Sequence, residues 1–587
     1  MRDPHSAPVP ARHCFRRIPA LLLVSILAWI TGATRAAEKP NVLFIAVDDL
    51  NDWIGCLGGH PQTKTPNLDR LAASGVLFRN AYCPAASCNP SRTAIFSGLP
   101  PHQSGLYQNL QKLRDVLPEA DLMPRYFSRH GYWSAGSGKL LHYIIDPPSW
   151  DDYFPEKAKD NPFPRTFYPE KRPVNLPRAG AWQYVETDWA ALDVSDEEFG
   201  GDWLVTKWIG EQLQHERDRP FFLACGIYRP HEPWFVPKSY FEPFPLDSIQ
   251  LPPGWKEDDL EDVPPAGQRI ARNRYFAHIR EQKQWKQGIQ AYLASIHFAD
   301  AMLGRVLDAL EKSPNRDRTI VVLWSDHGWH LGEKEHWQKF TGWRACARVP
   351  LMIRVPGGAP GLPEGTRAGS VCDRPVSLVD LFATLTDLCG LPAKADIGSR
   401  SLTPLLRDPS APWPHAAITH LDLPENYAIS TERWRYLHYR GEEEELYDIA
   451  SDPHEWTNLA TKAEHAEKLA EMRALAPGKM APVHETQPGI NAFKAEVELS
   501  LVTDTAAPPS KASSTRVSLL FQNQMQNAIG LVWLDDKGER HDYGKVEGAS
   551  RRLMKTFAGH TWLLISGEGK EIGHVVAPDK PSRVLVQ

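Results

Sequence analysis

Three unbroken apolar runs, each ending in charged or imidazole side chains, constrain the fold of this chain more than any other feature. Asn41-Val42-Leu43-Phe44-Ile45-Ala46-Val47 leads into Asp48-Asp49. Pro220-Phe221-Phe222-Leu223-Ala224-Cys225-Gly226-Ile227 leads toward Arg229-Pro230-His231. Thr319-Ile320-Val321-Val322-Leu323-Trp324 leads into Ser325-Asp326-His327-Gly328. Runs with no polar alternation predict strands buried on both faces, as in parallel sheets covered by helices. Helical periodicity lies between them, over Leu68–Leu77 and Ile289–Leu310. The alternation predicts an α/β fold: a mixed, mostly parallel sheet flanked by helices. Ligands of such sheets bind beyond the carboxyl ends of the strands, where the acids and histidines fall.

The chain has 587 residues, enough for one to three domains and a large core. Its 42% apolar and 24% charged residues exclude a wholly disordered or fibrous chain. The net charge of −6 supplies no broad attraction for nucleic acid or an anionic membrane. Arg12, Arg16 and Arg17 precede an apolar run from Ala20 to Ile30 and the small-residue exit Thr31-Gly32-Ala33-Thr34-Arg35-Ala36-Ala37. This predicts a secretory signal peptide over 1–36 and export to the periplasm or medium, since a membrane span needs about 20 apolar residues. No stable membrane insertion is expected of the mature chain. The eight cysteines show no CxxC pair and no zinc spacing. Export permits disulfides, but spacing does not give their connectivity.

Residues 38–477 read as the main domain, with a C-terminal subdomain from about 415. Residues 478–515, rich in Ala, Pro, Ser and Thr, read as a linker. Beyond it, short strands with turns at Val517–Phe521, Ala528–Leu534, Arg551–Phe557 and Thr561–Ile565 predict an all-β module over 516–587.

Asp48 and Asp49 are adjacent carboxylates that repel unless a cation holds them, so a hard divalent metal is their natural partner. Asp326-His327 closes another buried strand and converges on the same sheet edge. Between them stands Cys88-Asn89-Pro90-Ser91-Arg92-Thr93-Ala94-Ile95-Phe96-Ser97-Gly98. Cys-x-Pro-Ser-Arg followed by a hydroxyl residue and glycine resembles the signature of type I sulfatases, with Ser97 where threonine is common. The resemblance runs from about Lys39 to Leu459. It includes Thr65-Pro66-Asn67-Leu68-Asp69-Arg70-Leu71-Ala72 and Glu445-Leu446-Tyr447-Asp448-Ile449. It implies an alkaline-phosphatase-like fold with a small C-terminal subdomain.

The resemblance also implies that a formylglycine-generating enzyme oxidises Cys88 to formylglycine. One hydroxyl of the hydrated aldehyde attacks sulfur, giving a covalent sulfo-enzyme; the other lets sulfate leave as the carbonyl reforms. A calcium ion would be held by Asp48, Asp49, Cys88, Asp326 and His327, polarising the sulfate oxygens. Arg92 would hold the diol, as a planar fork of donors suits oxygen anions. Gly138-Lys139-Leu140-Leu141-His142 resembles the segment whose lysine contacts sulfate and whose histidine contacts the diol. His231 in Arg229-Pro230-His231-Glu232-Pro233-Trp234 matches the histidine serving the leaving oxygen, and Lys339 matches a second sulfate-binding lysine. Asp326-His327, where many sulfatases carry Asp-Asn, is similar to the iduronate-2-sulfatase branch. Because calcium prefers oxygen, His327 is either a weak ligand or a donor to the diol or sulfate.

These matches imply hydrolysis of sulfate esters of a sulfated carbohydrate, with the 2-O-sulfate of a terminal uronate as the expected substrate. Two loops, 146–190 and 230–265, are the expected sugar-binding stretches. They carry Trp150, Tyr153, Phe154, Arg165, Arg172, Arg178, Trp234, Phe235, Lys238 and Trp255. The alternatives are a phosphonate or phosphate monoester hydrolase of the same superfamily and an inactive glycan-binding relative. Residues 516–587 resemble the von Hippel–Lindau β domain, a small sandwich. Trp533, Tyr543, Thr556, His560 and Trp562 match its pocket, and the module is a candidate for a protein or glycan ligand.

Overall fold

The computed structural model describes residues 39–180, 182–484, 493–525, 527–546, 548 and 550–586. The leader expected at 1–36 lies outside the described residues. The core is an eight-stranded sheet. Its strands are β1 (Asn41–Val47), β2 (Val76–Phe78), β3 (Trp133–Gly138), β4 (Asp152–Phe154), β5 (Phe221–Ile227), β6 (Thr319–Ser325), β7 (Leu351–Arg354) and β8 (Ser370–Cys372). The spatial order is β8-β2-β7-β6-β1-β5-β3-β4. Every pairing is parallel except those of β7, which runs antiparallel to β6 and β2. The three apolar runs are therefore the three adjacent central strands.

Period-2 alternation sends the β1 side chains into two separate cores. Leu43, Ile45 and Val47 face α2 (Asp202–Gln214) and α3 (Trp285–Glu311). Val42, Phe44 and Ala46 face Ile95 and Phe96 of α1 (Cys88–Ser97) and the helix Leu381–Leu388. Each of these β1 side chains is at most 2% exposed, so truncating Leu43 to Ala would cost about 2–5 kcal/mol. The helix expected over 289–310 lies inside α3. The one expected over Leu68–Leu77 is shorter, Pro66–Ser74. Gly75 ends it, and Leu77 instead pairs with Met352 in the sheet.

Register sets the site. Val47 lies opposite both Ile227 and Ser325, and Gly138 lies opposite Gly226. Four central strands thus end level, and the residues that follow them emerge together. Gly138 and Gly226 permit this approach: a Cβ on Gly226 would sit 2.5 Å from the Lys139 carbonyl oxygen.

The C-terminal subdomain is an antiparallel meander of Ala417–His420, Tyr427–Ser430, Trp434–Tyr439 and Glu443–Asp448. The last module is two four-stranded sheets around their own core, including Leu519, Phe521, Leu531, Leu564 and Val584. The stretch expected as a linker is structured at both of its described ends. Ala481 and His484 hydrogen-bond back to His102 and Gly105, and Val497–Leu499 pairs parallel with Ser582–Val584. Sparse apolar patterning hid this, because a three-residue edge strand needs little. Among the described residues no disulfide forms and no helix is long and apolar enough to cross a membrane.

Candidate active site

The Cys88-x-Pro90-Ser91-Arg92 segment opens α1, with Cys88 as its first residue and every residue of the helix buried. A helix N-terminus favours negative charge. Arg92 lies one turn on, on the same face. Its Nε donates to Asp326 Oδ2 at 2.7 Å, and a second guanidinium nitrogen meets Asp48 Oδ1 at 3.0 Å. Its remaining nitrogen donates to the Lys139 carbonyl at 2.6 Å. Arg92 therefore ties α1 to the ends of β1, β3 and β6.

Around Cys88 Sγ stand Lys339 Nζ at 3.1 Å, His327 Nε2 at 3.2 Å, Lys139 Nζ at 3.7 Å and Asp48 Oδ1 at 4.0 Å. Burial would raise this thiol, but Lys139, Lys339 and His327 outweigh it and hold it well below its ordinary range. Burial likewise disfavours the Asp48 carboxylate, yet Lys139 and Arg92 hold its pKa far down. The position is built for an anion.

Asp49 turns into the left-handed region at φ 59°, and its N–H donates to Asp326 Oδ1 at 3.1 Å. That turn sets the second carboxylate beside the first. Tyr143, Gln338 and Phe340, next to His142 and Lys339, also have positive φ, of 59°, 89° and 77°. Strained backbone of this kind clusters at functional sites.

One ligand atom each from Asp48, Cys88, Asp326 and His327 lies within a 4.8 Å group, and Asp49, Cys88 and His231 form a second such group. Asp49 Oδ2 is buried, accepts no hydrogen bond and has His231 Nε2 at 3.8 Å. Three buried carboxylates with an unsatisfied oxygen fit a hard divalent cation. His327 Nδ1 meets the Gly328 carbonyl at 3.1 Å, so Nδ1 carries the proton and Nε2 faces Cys88. Proximity to Asp326 and Cys88 outweighs burial and raises His327 to about 9.

His231 Nδ1 meets the Glu232 carbonyl at 2.7 Å, which leaves Nε2 toward the site. His142 is half-buried and its pKa is lowered by burial. All the catalytic and metal residues expected from sequence are thus gathered at one sheet edge. A cavity of about 360 Å³ opens over them, lined by Cys88, His142, His231, Lys339 and the rings of Tyr143, Tyr184, Tyr275 and Phe340.

The expected sugar-binding side chains fall elsewhere. Trp150, Tyr153, Trp234 and Phe235 are at most 4% exposed, within the cores. Phe154 stacks on Trp208, Trp255 packs edge-on to Trp285, and Arg172 forms a bidentate pair with Glu186 at 3.0–3.1 Å. Arg178 donates to the Gln183 carbonyl, and Lys238 pairs with Asp193. Of the cavity rings, Tyr143 and Phe340 adjoin motif residues and could have been inferred. Tyr184 and Tyr275 lie in segments without a motif.

In the C-terminal module the five matched residues do converge. Trp533 stacks on His560 at 5.1 Å, Tyr543 meets Trp562 edge-on at 5.0 Å, and Trp562 Nε1 donates to Thr556 Oγ1 at 3.2 Å. Trp562 is core, whereas Tyr543 is 43% exposed.

Residues 40–391 match the sulfatase family, and the chain belongs to it: it is a sulfuric ester hydrolase. Residues 332–477 match the C-terminal region of N-sulphoglucosamine sulphohydrolase, and 509–575 the VHL beta domain. A sulfatase of Formosa agariphila is 38% identical over 453 residues, covering 76% of this chain and 87% of that protein. Iduronate 2-sulfatase of Mus musculus is 31% identical over 434 residues, covering 66% and 76%. A solved phosphonate monoester hydrolase of Agrobacterium radiobacter superposes with a TM-score of 0.58 at 25% identity, covering 75% of this chain and 96% of that one. The alkaline-phosphatase-like core and the appended β module are both present.

Proposed function

We propose that this chain is an exported sulfatase that removes the 2-O-sulfate of a terminal uronate from a sulfated carbohydrate, using a formylglycine made from Cys88. The observation that carries the reading is the convergence of Lys139, Lys339 and His327 on Cys88 Sγ, within 3.1–3.7 Å. Three donors around one buried nucleophile match the tetrahedral oxygens of a sulfate. Arg92 orients the nucleophile from one turn away. Lys139 and Lys339 grip the sulfate, and His142 holds the nucleophile's outer hydroxyl. His231, with Nδ1 fixed on the Glu232 carbonyl, presents Nε2 to the leaving oxygen as general acid. Asp48, Asp49 and Asp326, with His327 beside them, would hold a calcium ion, which supplies polarisation of the sulfate oxygens.

The aromatic collar of Tyr143, Tyr184, Tyr275 and Phe340 supports a sugar-sized leaving group. The similarity to iduronate 2-sulfatase supports the uronate. Tyr543 and His560 of the C-terminal module offer an open aromatic face to a protein or glycan ligand. A peptide mass across Cys88 tests the nucleophile. A panel of defined sulfated mono- and disaccharides tests the substrate: cleavage of 6-O-sulfated hexosamines with every 2-sulfated uronate resistant would overturn the uronate assignment. Preferential cleavage of phosphonate monoesters would favour the superfamily alternative instead.

A further inference from the structure

We propose that Glu232 selects the substrate by hydrogen-bonding a free hydroxyl on the sugar carbon next to the sulfate ester. The inference rests on the sulfated-sugar reading above. Glu232 follows His231 in the loop after β5 and is 1% exposed. It lines the same cavity as Cys88, His142, His231 and Lys339. One carboxyl oxygen, Oε2, accepts from Thr187 Oγ1 at 2.9 Å and from Gln338 Nε2 at 3.4 Å. The other, Oε1, is buried with no hydrogen-bond partner. Buried polar atoms are nearly always satisfied, and one that lines a cavity is open to a partner that enters it.

No lysine or arginine among the described residues forms an ion pair with Glu232, so the carboxyl is not a structural salt bridge. Thr187 and Gln338 instead fix its direction, and Gln338 also bonds Thr187 at 3.2 Å. The charges decide the chemical class of the ligand. Lys139 and Lys339 are engaged with the sulfate-binding position and with Asp48 and Asp49. Lys339 is the cation whose charge reaches Glu232, and it is already committed to Asp49 and the sulfate position, so a second sulfate or a carboxylate reaching Oε1 would gain no further cation. A hydroxyl can donate to Oε1 at no electrostatic cost. Glu232 therefore admits a sugar whose neighbouring position is unsubstituted and rejects one sulfated there too. Because Glu232 and His231 adjoin, the same loop that serves the leaving oxygen reads the adjacent carbon.

The test uses the full-length matured enzyme and the panel sugar that the wild type cleaves fastest. It is compared with its analogue lacking the hydroxyl at the carbon next to the sulfate, and with its analogue sulfated there. The wild type is expected to prefer the hydroxyl-bearing sugar by at least about tenfold in kcat/KM over either analogue. In E232M that preference over the deoxy analogue should fall below about threefold, with both sugars still bound and cleaved. The isosteric E232Q should keep part of it, and its melting temperature separates loss of discrimination from loss of fold. Equal wild-type rates on the hydroxyl and deoxy sugars would overturn the role of Glu232 while leaving the sulfatase reading intact. No cleavage of any panel sugar by the wild type would overturn the reading on which the inference rests.

Discussion

Lys339 Nζ lies 3.1 Å from Cys88 Sγ, although 251 residues separate them in the chain. The contact exists because Lys339 sits between two residues with positive φ, Gln338 and Phe340, which throw its side chain inward. The same ammonium lies 2.9 Å from Asp49 Oδ1. One cation thus couples the nucleophile to the acidic pair. Replacing Lys339 with Met should lower kcat/KM for an aryl sulfate by about 10²–10³-fold, the usual cost of one preorganised donor. A variant that melts like the wild type and hydrolyses at its rate would remove Lys339 from the site.

Cys88 begins a wholly buried helix and touches Lys139, Lys339 and His327, so its loss removes the proposed nucleophile without opening the core. Cys88→Ala should fold and lose sulfate-ester hydrolysis by several orders of magnitude. Substantial turnover by this variant, purified free of wild-type enzyme, would contradict the assignment.

Three carboxylates meeting at one point, one oxygen of Asp49 being unsatisfied, predict dependence on a hard cation. Chelation should abolish hydrolysis, and calcium should restore it better than zinc. Full activity with zinc measured at stoichiometric occupancy would argue for the phosphatase-like alternative.

Asp380 is buried, its carboxyl pushed up to about 7 by burial despite the backbone N–H of Arg400 that it accepts. Its folded pKa is raised, so its stabilising contribution is fully present below the unfolded value, about 4, and is lost as pH rises through about 7. Stability, read as melting temperature, should therefore fall between about pH 4 and pH 7 on this account, by on the order of 1–4 kcal/mol. Asp380→Asn should flatten that slope. An unchanged slope in the variant would show that other groups set it.

The chain up to His484 is tied to the catalytic half. Tyr107 Oη donates to the Ala481 carbonyl, and Gln111 Nε2 bridges the Gly105 and His484 carbonyls. Gln111 in turn accepts, through its carbonyl, the side chain of Asn89 beside the nucleophile. The β module has its own core. A chain cut after residue 484 should hydrolyse aryl sulfate within about twofold of the full protein, as few contacts are expected to cross a domain boundary. A cut after residue 477 should be less active, which kinetic comparison of the two truncations would settle.

The sequence by itself determined the three central strands, because an apolar run without alternation is stable only when buried on both faces. It also located the candidate site, because Cys88-x-Pro90-Ser91-Arg92, Asp48-Asp49 and Asp326-His327 are contiguous motifs whose spacing survives folding. Residues in long loops were another matter. Trp150, Tyr153, Trp234 and Phe235 look like sugar platforms in the sequence yet fill the two cores, while Tyr184 and Tyr275 line the cavity. An aromatic ring has the same composition whether it faces core or solvent, and without regular periodicity no local signal separates the two. Only the tertiary structure decided which rings met the nucleophile. It also decided the left-handed turns at Asp49, Gln338 and Phe340, and the single unpaired oxygen of Glu232, because these follow from how distant segments pack rather than from neighbours in the chain.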